Sequence, residues 1–251
     1  RKAFLAQSPQ FYKQMAIAGG FEGVFEIGPV FRAEPSFTSR HTTEFTSLDV
    51  EIAYVETVEE VMCFEEQWLA FTFSGLKELY SKQLEELYGI QINIPELPFP
   101  RISMTQAQGI VKSYGIECLE NSDLSSDGEK ALGRYVKEVF NSDFVFLTDF
   151  PWSVRPFYHM RSENKQITKS FDLIYCGTEI TTGAQREHRY DILCSQASEK
   201  LPDLKGIEDY LNFFKYGCPP HGGFGLSPAR VITCMLGLDN IREATLLPRD
   251  P

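Results

Sequence analysis

Val24-Phe25-Glu26-Ile27-Gly28-Pro29-Val30-Phe31-Arg32-Ala33-Glu34 and Thr43-Glu44-Phe45-Thr46-Ser47-Leu48-Asp49-Val50-Glu51-Ile52-Ala53-Tyr54 are two runs rich in β-branched and aromatic residues, joined by Pro35-Ser36-Phe37-Thr38-Ser39-Arg40-His41-Thr42. Both runs predict strands, and the polar link is too long for a tight hairpin turn, so the expected unit is an antiparallel pair with a long loop. Alternate residues of a strand share a face, which puts Arg32 with Glu34, and Phe45 with Ser47, Asp49 and Glu51. Thr46, Leu48, Val50 and Ile52 take the opposite face. A sheet face bearing arginine, an aromatic ring and several acids is either a solvated surface or the floor of a polar ligand site.

Upstream of this pair, Ser8-Pro9 before Gln10 to Ala18 and the stop Gly19-Gly20 predict a short helix with Ser8 as N-cap and Pro9 in its first turn. Downstream, Thr57-Val58-Glu59-Glu60 reads as a capping box opening a helix to about Tyr88. An acidic, proline-broken linker covers Gln91 to Pro100, and residues 101–142 suggest one short strand and two helices starting near Thr105 and Ser126, a module inserted at about 91–142. Strands are expected at Phe144 to Asp149, Thr168 to Tyr175 and Thr178 to Thr182, the last followed by a turn at Thr182-Gly183-Ala184-Gln185. Helices are expected at Tyr190 to Lys200 and Ile207 to Tyr216. Gly222-Gly223-Phe224-Gly225-Leu226 reads as a strand opened by glycines for close approach, and Ser227-Pro228 as the cap and first turn of a helix to about Gly237. Strand and helix do not alternate regularly, so the fold class is α+β, a mostly antiparallel sheet flanked by helices.

The 251 residues are 43% hydrophobic and 24% charged, the profile of a water-soluble globular chain. A formal charge of −11 argues against unspecific attachment to nucleic acid, which depends on Lys and Arg displacing counterions. No apolar run approaches the roughly 18 to 20 residues of a membrane span. Six cysteines, without a Cys-x-x-Cys pair, read as reduced thiols of a cytoplasmic protein. The chain opens at Arg1 without an initiator methionine, which reads as a fragment.

Asp172, Glu179 and Thr182 offer hard oxygen ligands near strand ends, a set suited either to Mg²⁺ shared with phosphate or to ordinary surface polarity. Arg186 and Arg230 carry guanidinium forks that suit a carboxylate, a phosphate or an adenine face, or a plain ion pair. Neither a G-x-x-x-x-G-K-[ST] loop nor a G-x-G-x-x-G turn is present, and the four histidines are scattered with no G-x-S-x-G elbow. Chemistry on this chain must rest on positioning and electrostatics rather than on a covalent nucleophile.

Phe31-Arg32-Ala33-Glu34, the Arg40-His41 loop and Glu44-Phe45-x-x-Leu48-Asp49 resemble motif 2 of the class II aminoacyl-tRNA synthetases, and Gly223-Phe224-Gly225-Leu226-Ser227-Pro228-Ala229-Arg230 resembles motif 3. Gln7 to Gln14, Phe171-Asp172-Leu173 through Arg186, and Pro248-Arg249-Asp250-Pro251 are similar to the aspartyl-tRNA synthetases of the archaeal and eukaryotic type. The resemblance covers nearly the whole chain, in family order. It implies the class II catalytic fold, ATP-dependent activation of L-aspartate to aspartyl-adenylate, transfer to the 3′ end of tRNA(Asp), with tRNA(Asn) left open as a second acceptor, and a homodimer. An anticodon-binding OB-fold domain and motif 1 would lie upstream of Arg1. Two departures stand in motif 3: Ala229 replaces the family's Glu before the arginine, and Ser227-Pro228 replaces a glycine or small residue. The lost carboxylate bears on ATP affinity.

The same resemblance implies roles for single residues. Arg32 would hold the α-phosphate and the aspartate carboxylate, while Ala33, Glu34, Arg40, His41 and Thr42 frame the nucleotide. Phe45 and Arg230 would sandwich the adenine, beside Gly225 and Ser227. Asp172, Glu179 and Thr182 would bind Mg²⁺, Glu179 also facing ATP and Thr182 the aspartate. Gln10, Lys13, Asp49 and Arg186 would form the aspartate pocket, with the Arg186 fork gripping the side-chain carboxylate. Two alternatives stand beside this: an asparaginyl-tRNA synthetase or amidating relative, and a synthetase-like domain that binds without catalysing.

Overall fold

The computed structural model describes residues 2–33, 38–119 and 121–250. Helix α1 (Gln10–Ala18) leads into strands β1 (Gly23–Phe31) and β2 (Glu44–Ala53), and helix α2 (Val58–Tyr88) follows. Strand β3 (Arg101–Ser103) and helices α3 (Met104–Ser113) and α4 (Ser126–Phe140) come next, then strands β4 (Phe144–Thr148), β5 (Ser170–Tyr175) and β6 (Thr178–Gln185). Helices α5 (Tyr190–Lys200) and α6 (Glu208–Phe214), strand β7 (His221–Leu226) and helix α7 (Pro228–Leu236) complete the order. The strands form one sheet in the order β1-β2-β7-β6-β5-β4-β3. Its pairs are antiparallel except β3 with β4, which is parallel. This is the α+β architecture that the irregular spacing of strands and helices implies.

Alternation along the strands divides the sheet into an oily face and a polar one. Val50, Phe171, Leu173 and Phe224 join Val61, Leu69 and Phe73 of α2 in a single buried cluster. Each such side chain contributes roughly 1.5 to 3 kcal/mol by leaving water. Helices α3 and α4 cover the β3–β4 edge through Ala107, Val111, Leu132 and Val136, packed with Leu147 and Ile174. A third cluster joins α5 and α6 to the aromatic ring of Phe11, which stacks on Tyr210 at 4.4 Å. The face carrying Ser47, Asp49 and Glu51 is left for the site.

Three local readings change. Helix α1 starts at Gln10 with Pro9 as N-cap, so Ser8 sits one residue too early to cap it and accepts the Gln10 N–H at 3.3 Å instead. At α2 the Thr57 hydroxyl accepts from Glu60 N–H, but the Glu60 carboxylate reaches back to Glu56 N–H rather than to Thr57. Residues Thr182 to Gln185 form no turn; β6 runs on to Gln185. Gly183, which reads as a breaker, lies in the strand because the Phe171 ring occupies the space a Cβ would need. No helix among the described residues is long and apolar enough to cross a membrane.

Candidate active site

Asp49 and Glu51 are buried on the polar face of β2 and need cations. Lys13 supplies one from α1, with Nζ 3.0 Å from Asp49 Oδ1 and 3.3 Å from Glu51 Oε2, and it also donates to the Phe224 carbonyl at 3.1 Å. Arg186 supplies the other from the end of β6: its Nε and Nη2 donate to the two Glu51 oxygens at 2.8 and 3.2 Å, and Nη2 also donates to the Gly223 carbonyl at 2.8 Å. Burial opposes charge on Glu51, yet Arg186 and Lys13 outweigh it and hold the carboxyl below its usual range. The glycines of β7 make room for this cluster. A Cβ at Gly225 would stand 3.0 Å from Asp49 Oδ1, and one at Gly223 would collide with the Val50 carbonyl and Glu51.

Above this floor lies a cavity of about 300 Å³. From motif 2 it is lined by Arg32, Arg40, His41, Thr42 and Phe45, and from β2 by Asp49. Glu179, Thr182 and Arg186 reach it from β6, Gly225, Ser227 and Arg230 from β7 and the start of α7, and Gln10 from α1. The fold therefore gathers residues spread over more than two hundred positions into one space. Lys13 and Asp172 lie outside that lining, as does Ala33, and Glu34 falls outside the described residues. Lys13 is behind the floor, with its donors spent on protein oxygens.

Ser227 caps α7 by accepting Arg230 N–H at 3.4 Å, with Pro228 in the first turn. Arg230 then reaches back across β7, donating to the Glu179 carbonyl at 2.8 Å, with its Nη2 3.3 Å from His41 Nε2. On the other wall the Arg32 guanidinium stacks over the Phe45 ring at 5.1 Å. Glu179 and Thr182 are three residues apart and would face opposite ways in a regular strand. A bulge between the Ile174–Glu179 and Leu173–Thr181 pairs skips Ile180 and turns them to the same side, so that Thr182 Oγ1 donates to Glu179 Oε1 at 3.2 Å.

Asp172 faces Thr182 across the β5–β6 ladder, but Arg155 already holds its Oδ2 at 2.6 Å, while Oδ1 is buried with no hydrogen-bond partner. Burial, with Glu179 and Asp123 nearby, pushes its carboxyl above the usual range against the pull of Arg155. No cluster of three His, Cys, Asp or Glu side chains among the described residues makes a metal cage. The donors that face the cavity are the Glu179 carboxylate, whose Oε1 is also 3.3 Å from Arg230 Nη1, and the Thr182 hydroxyl, with the unpartnered Asp172 oxygen buried outside the lining. So few protein oxygens suit only a cation that brings phosphate oxygens with it.

The Arg186 fork does not open toward the cavity as the sequence implied. Glu51 holds it, and His159 Nε2 lies 3.0 Å from Nη1. Burial first, and then Arg186, Arg155 and Lys13, keep His159 well below its usual range and hence neutral. Sequence reasoning missed His159 and Tyr158, which line the cavity from an irregular segment without periodicity. Arg155 and Glu129 were missed too. The one available signal was Glu51, an acid on the same face as Asp49 that required a buried cation.

The cavity lies between the segments that resemble motif 2 and motif 3 of the class II synthetases, on the polar face of the sheet. A sequence profile described as tRNA synthetases class II (D, K and N) matches residues 1–251, and the chain belongs to that family. Within it, the chain is 47% identical over 253 residues to the aspartate–tRNA(Asp/Asn) ligase of Aeropyrum pernix, covering 100% of this chain and 57% of that protein. It superposes on the aspartyl tRNA synthetase from Entamoeba histolytica with a TM-score of 0.92 at 39% identity, covering 99% of this chain and 52% of the other. An asparaginyl-tRNA synthetase from Pyrococcus horikoshii, complexed with asparaginyl-adenylate, gives 0.90 at 34% identity, covering 100% and 58%. The chain thus spans just over half the length of the relatives it matches.

Proposed function

We propose that this chain is the catalytic domain of an aspartate–tRNA ligase, with residues at about 91–142 as a module inserted in it. The observation that carries the reading is the cavity itself, where guanidinium groups of Arg32, Arg40, Arg186 and Arg230 surround a floor of buried acids. Such a site suits two anions brought together, a triphosphate and an amino acid with a second carboxylate. Higher identity to aspartate ligases than to the asparaginyl structure supports the acid over the amide.

In the proposed reaction an aspartate α-carboxylate oxygen attacks the α-phosphorus of ATP in line, forming a P–O bond as the bond to pyrophosphate breaks. The acyl group then passes to a tRNA(Asp) 3′-terminal hydroxyl with release of AMP; tRNA(Asn) is the acceptor to test beside it. Arg32 neutralises the α-phosphate, and Phe45 and Arg230 close on the two adenine faces. Arg186 presents the Nη1 edge left by Glu51 to the side-chain carboxylate, so one hydrogen bond and the local charge, rather than a two-pronged grip, select aspartate. In this reading Gln10 and the Asp49 carboxylate receive the α-ammonium group. Mg²⁺ would be held by Glu179 and Thr182, with the unpaired Asp172 oxygen behind them, and would screen phosphate charge when bound.

The same reading places the protein in the cytoplasm, consistent with six cysteines that are all free thiols. It also makes the protein a homodimer, supported by edge strand β1, whose Phe25 and Ile27 are 76% and 59% exposed. Amino-acid-dependent pyrophosphate exchange, run with each standard amino acid, tests the proposal. Exchange with aspartate is expected; exchange with asparagine instead would establish the amide-specific alternative, and none with any amino acid would favour a domain that only binds.

A further inference from the structure

Helix α4 lies over the sheet edge, outside the cavity lining, yet it touches two residues that line it, Arg40 and Glu179. Gly133 rests on the turn between β5 and β6, where a Cβ on it would stand 2.6 Å from Gly177 Cα, and a Cβ on Gly177 would stand 2.9 Å from Lys130 Cα. Two backbones are in contact there, which sets the first turn of α4 beside the start of β6. Glu129 lies four residues before Gly133, on the same side of the helix. Its Oε2 accepts the Glu179 N–H at 2.7 Å.

The same carboxylate takes the Arg40 fork, with Nη2 to Oε2 at 2.7 Å and Nη1 to Oε1 at 3.2 Å, while Nη1 also donates to Ser126 Oγ at 2.7 Å. The two side chains are 18% and 11% exposed, so the pair is largely withdrawn from solvent screening. Arg40 belongs to the loop between β1 and β2, Glu179 stands at the start of β6, and both line the cavity. One carboxylate from α4 therefore ties together two lining residues that the chain supplies 139 residues apart.

We propose that Glu129 is a positioning residue for nucleotide binding, fixing the Arg40 guanidinium and the Glu179 backbone together so that the phosphate-facing side of the cavity is preorganised. This rests on the ATP-dependent reading above. The sign of its effect separates it from a bare neighbouring charge. An unspent carboxylate near a triphosphate repels it, and removing that charge would tighten ATP. A carboxylate that holds Arg40 in place would, when neutralised, weaken ATP.

Glu129→Gln in the intact protein tests the inference by pyrophosphate exchange. The Michaelis constant for ATP is expected to rise about tenfold, with that for aspartate within about twofold, because the lost contact is charge-assisted and touches only the nucleotide side. In an Arg40→Ala background, where Glu129 is an unspent charge, the same substitution is expected to leave the constant for ATP unchanged or to lower it. An unchanged or lower constant for ATP in Glu129→Gln alone, or a full effect persisting without Arg40, overturns the inference. If Glu129→Gln does not fold, Glu129→Asp takes its place: the shortened acid cannot hold both partners, and the constant for ATP should again rise. Calorimetry with ATP alone gives the same comparison independently of aspartate, so absence of exchange in the parent protein would sink the aspartate reading while leaving Glu129 decided by nucleotide affinity.

Discussion

Arg186 and Glu51 lock together at the centre of the cavity floor through two hydrogen bonds of 2.8 and 3.2 Å, with side chains only 2% and 0% exposed. Removing Arg186 leaves the buried Glu51 carboxylate with Lys13 alone, at 3.3 Å, and without either of the two hydrogen bonds of the fork. Arg186→Leu is therefore expected to do two things, abolish aspartate-dependent exchange and destabilise the fold by about 3 to 5 kcal/mol. Denaturant unfolding beside the exchange assay checks both. Full stability with lost exchange would mean that Glu51 is neutralised some other way.

Arg230 is anchored at one end by the Ser227 cap and at the other by the Glu179 carbonyl. Lysine would keep the charge and lose the planar surface that covers a ring, worth on the order of 0.5 to 2 kcal/mol. Arg230→Lys should raise the Michaelis constant for ATP several-fold and that for aspartate less. Ala229→Glu, which restores the family's acid, should leave exchange intact or improve it. A loss confined to aspartate in the Arg230 variant would place the nucleotide on the wrong side of the cavity.

Much of this site was legible because its residues lie on regular strands, where alternation alone assigns a face. Asp49, Glu51 and Phe45 share the polar face of β2 as their spacing requires, and Ser227-Pro228 starts α7 where a cap and a first-turn proline should. What stayed hidden depends on long-range packing. The meeting of Glu179 with Thr182 follows from a bulge that no periodicity announces, and the Arg186 fork is taken by a residue 135 positions away. His159 and Arg155 come from an irregular stretch with no period to extrapolate. Gly183 misled because a close aromatic neighbour and a turn both demand glycine.

Glu65 on α2 is wholly buried, and burial first, with Glu66 and Asp172 adding, pushes its carboxyl up to about 8 from an ordinary 4.5, against the pull of the Thr181 hydroxyl. A folded-state value above the unfolded one means that the folded chain binds the extra proton between those limits. Stability is then fully present below about pH 4.5 and is lost as pH rises through about 8, with a slope near 1.4 kcal/mol per pH unit from this group. Glu65→Gln should flatten that slope and be the more stable protein at pH 8.5. Parallel stability curves for the two proteins over pH 5 to 8.5, from denaturant titrations, would rule out the buried neutral acid.

Gly133 offers a test of α4 seating in which the usual sign of a substitution reverses. In an exposed helix interior, replacing glycine by alanine stabilises by about 1 kcal/mol through lower backbone entropy in the unfolded chain. Gly133 lies inside α4, yet the new methyl would sit 2.6 Å from Gly177 Cα and 2.7 Å from Gly177 N, backbone atoms that cannot rotate away. Gly177 is itself held at φ +76°, so the turn between β5 and β6 has little freedom to yield. Gly133→Ala should therefore lower stability, by roughly 1 to 3 kcal/mol as overpacking does, and the melting temperature should fall by several degrees. The displaced helix would also carry Glu129 away from Arg40, so the Michaelis constant for ATP should rise in the folded fraction while that for aspartate holds. A Gly133→Ala protein that melts higher than its parent would show that α4 does not rest on the β5–β6 turn.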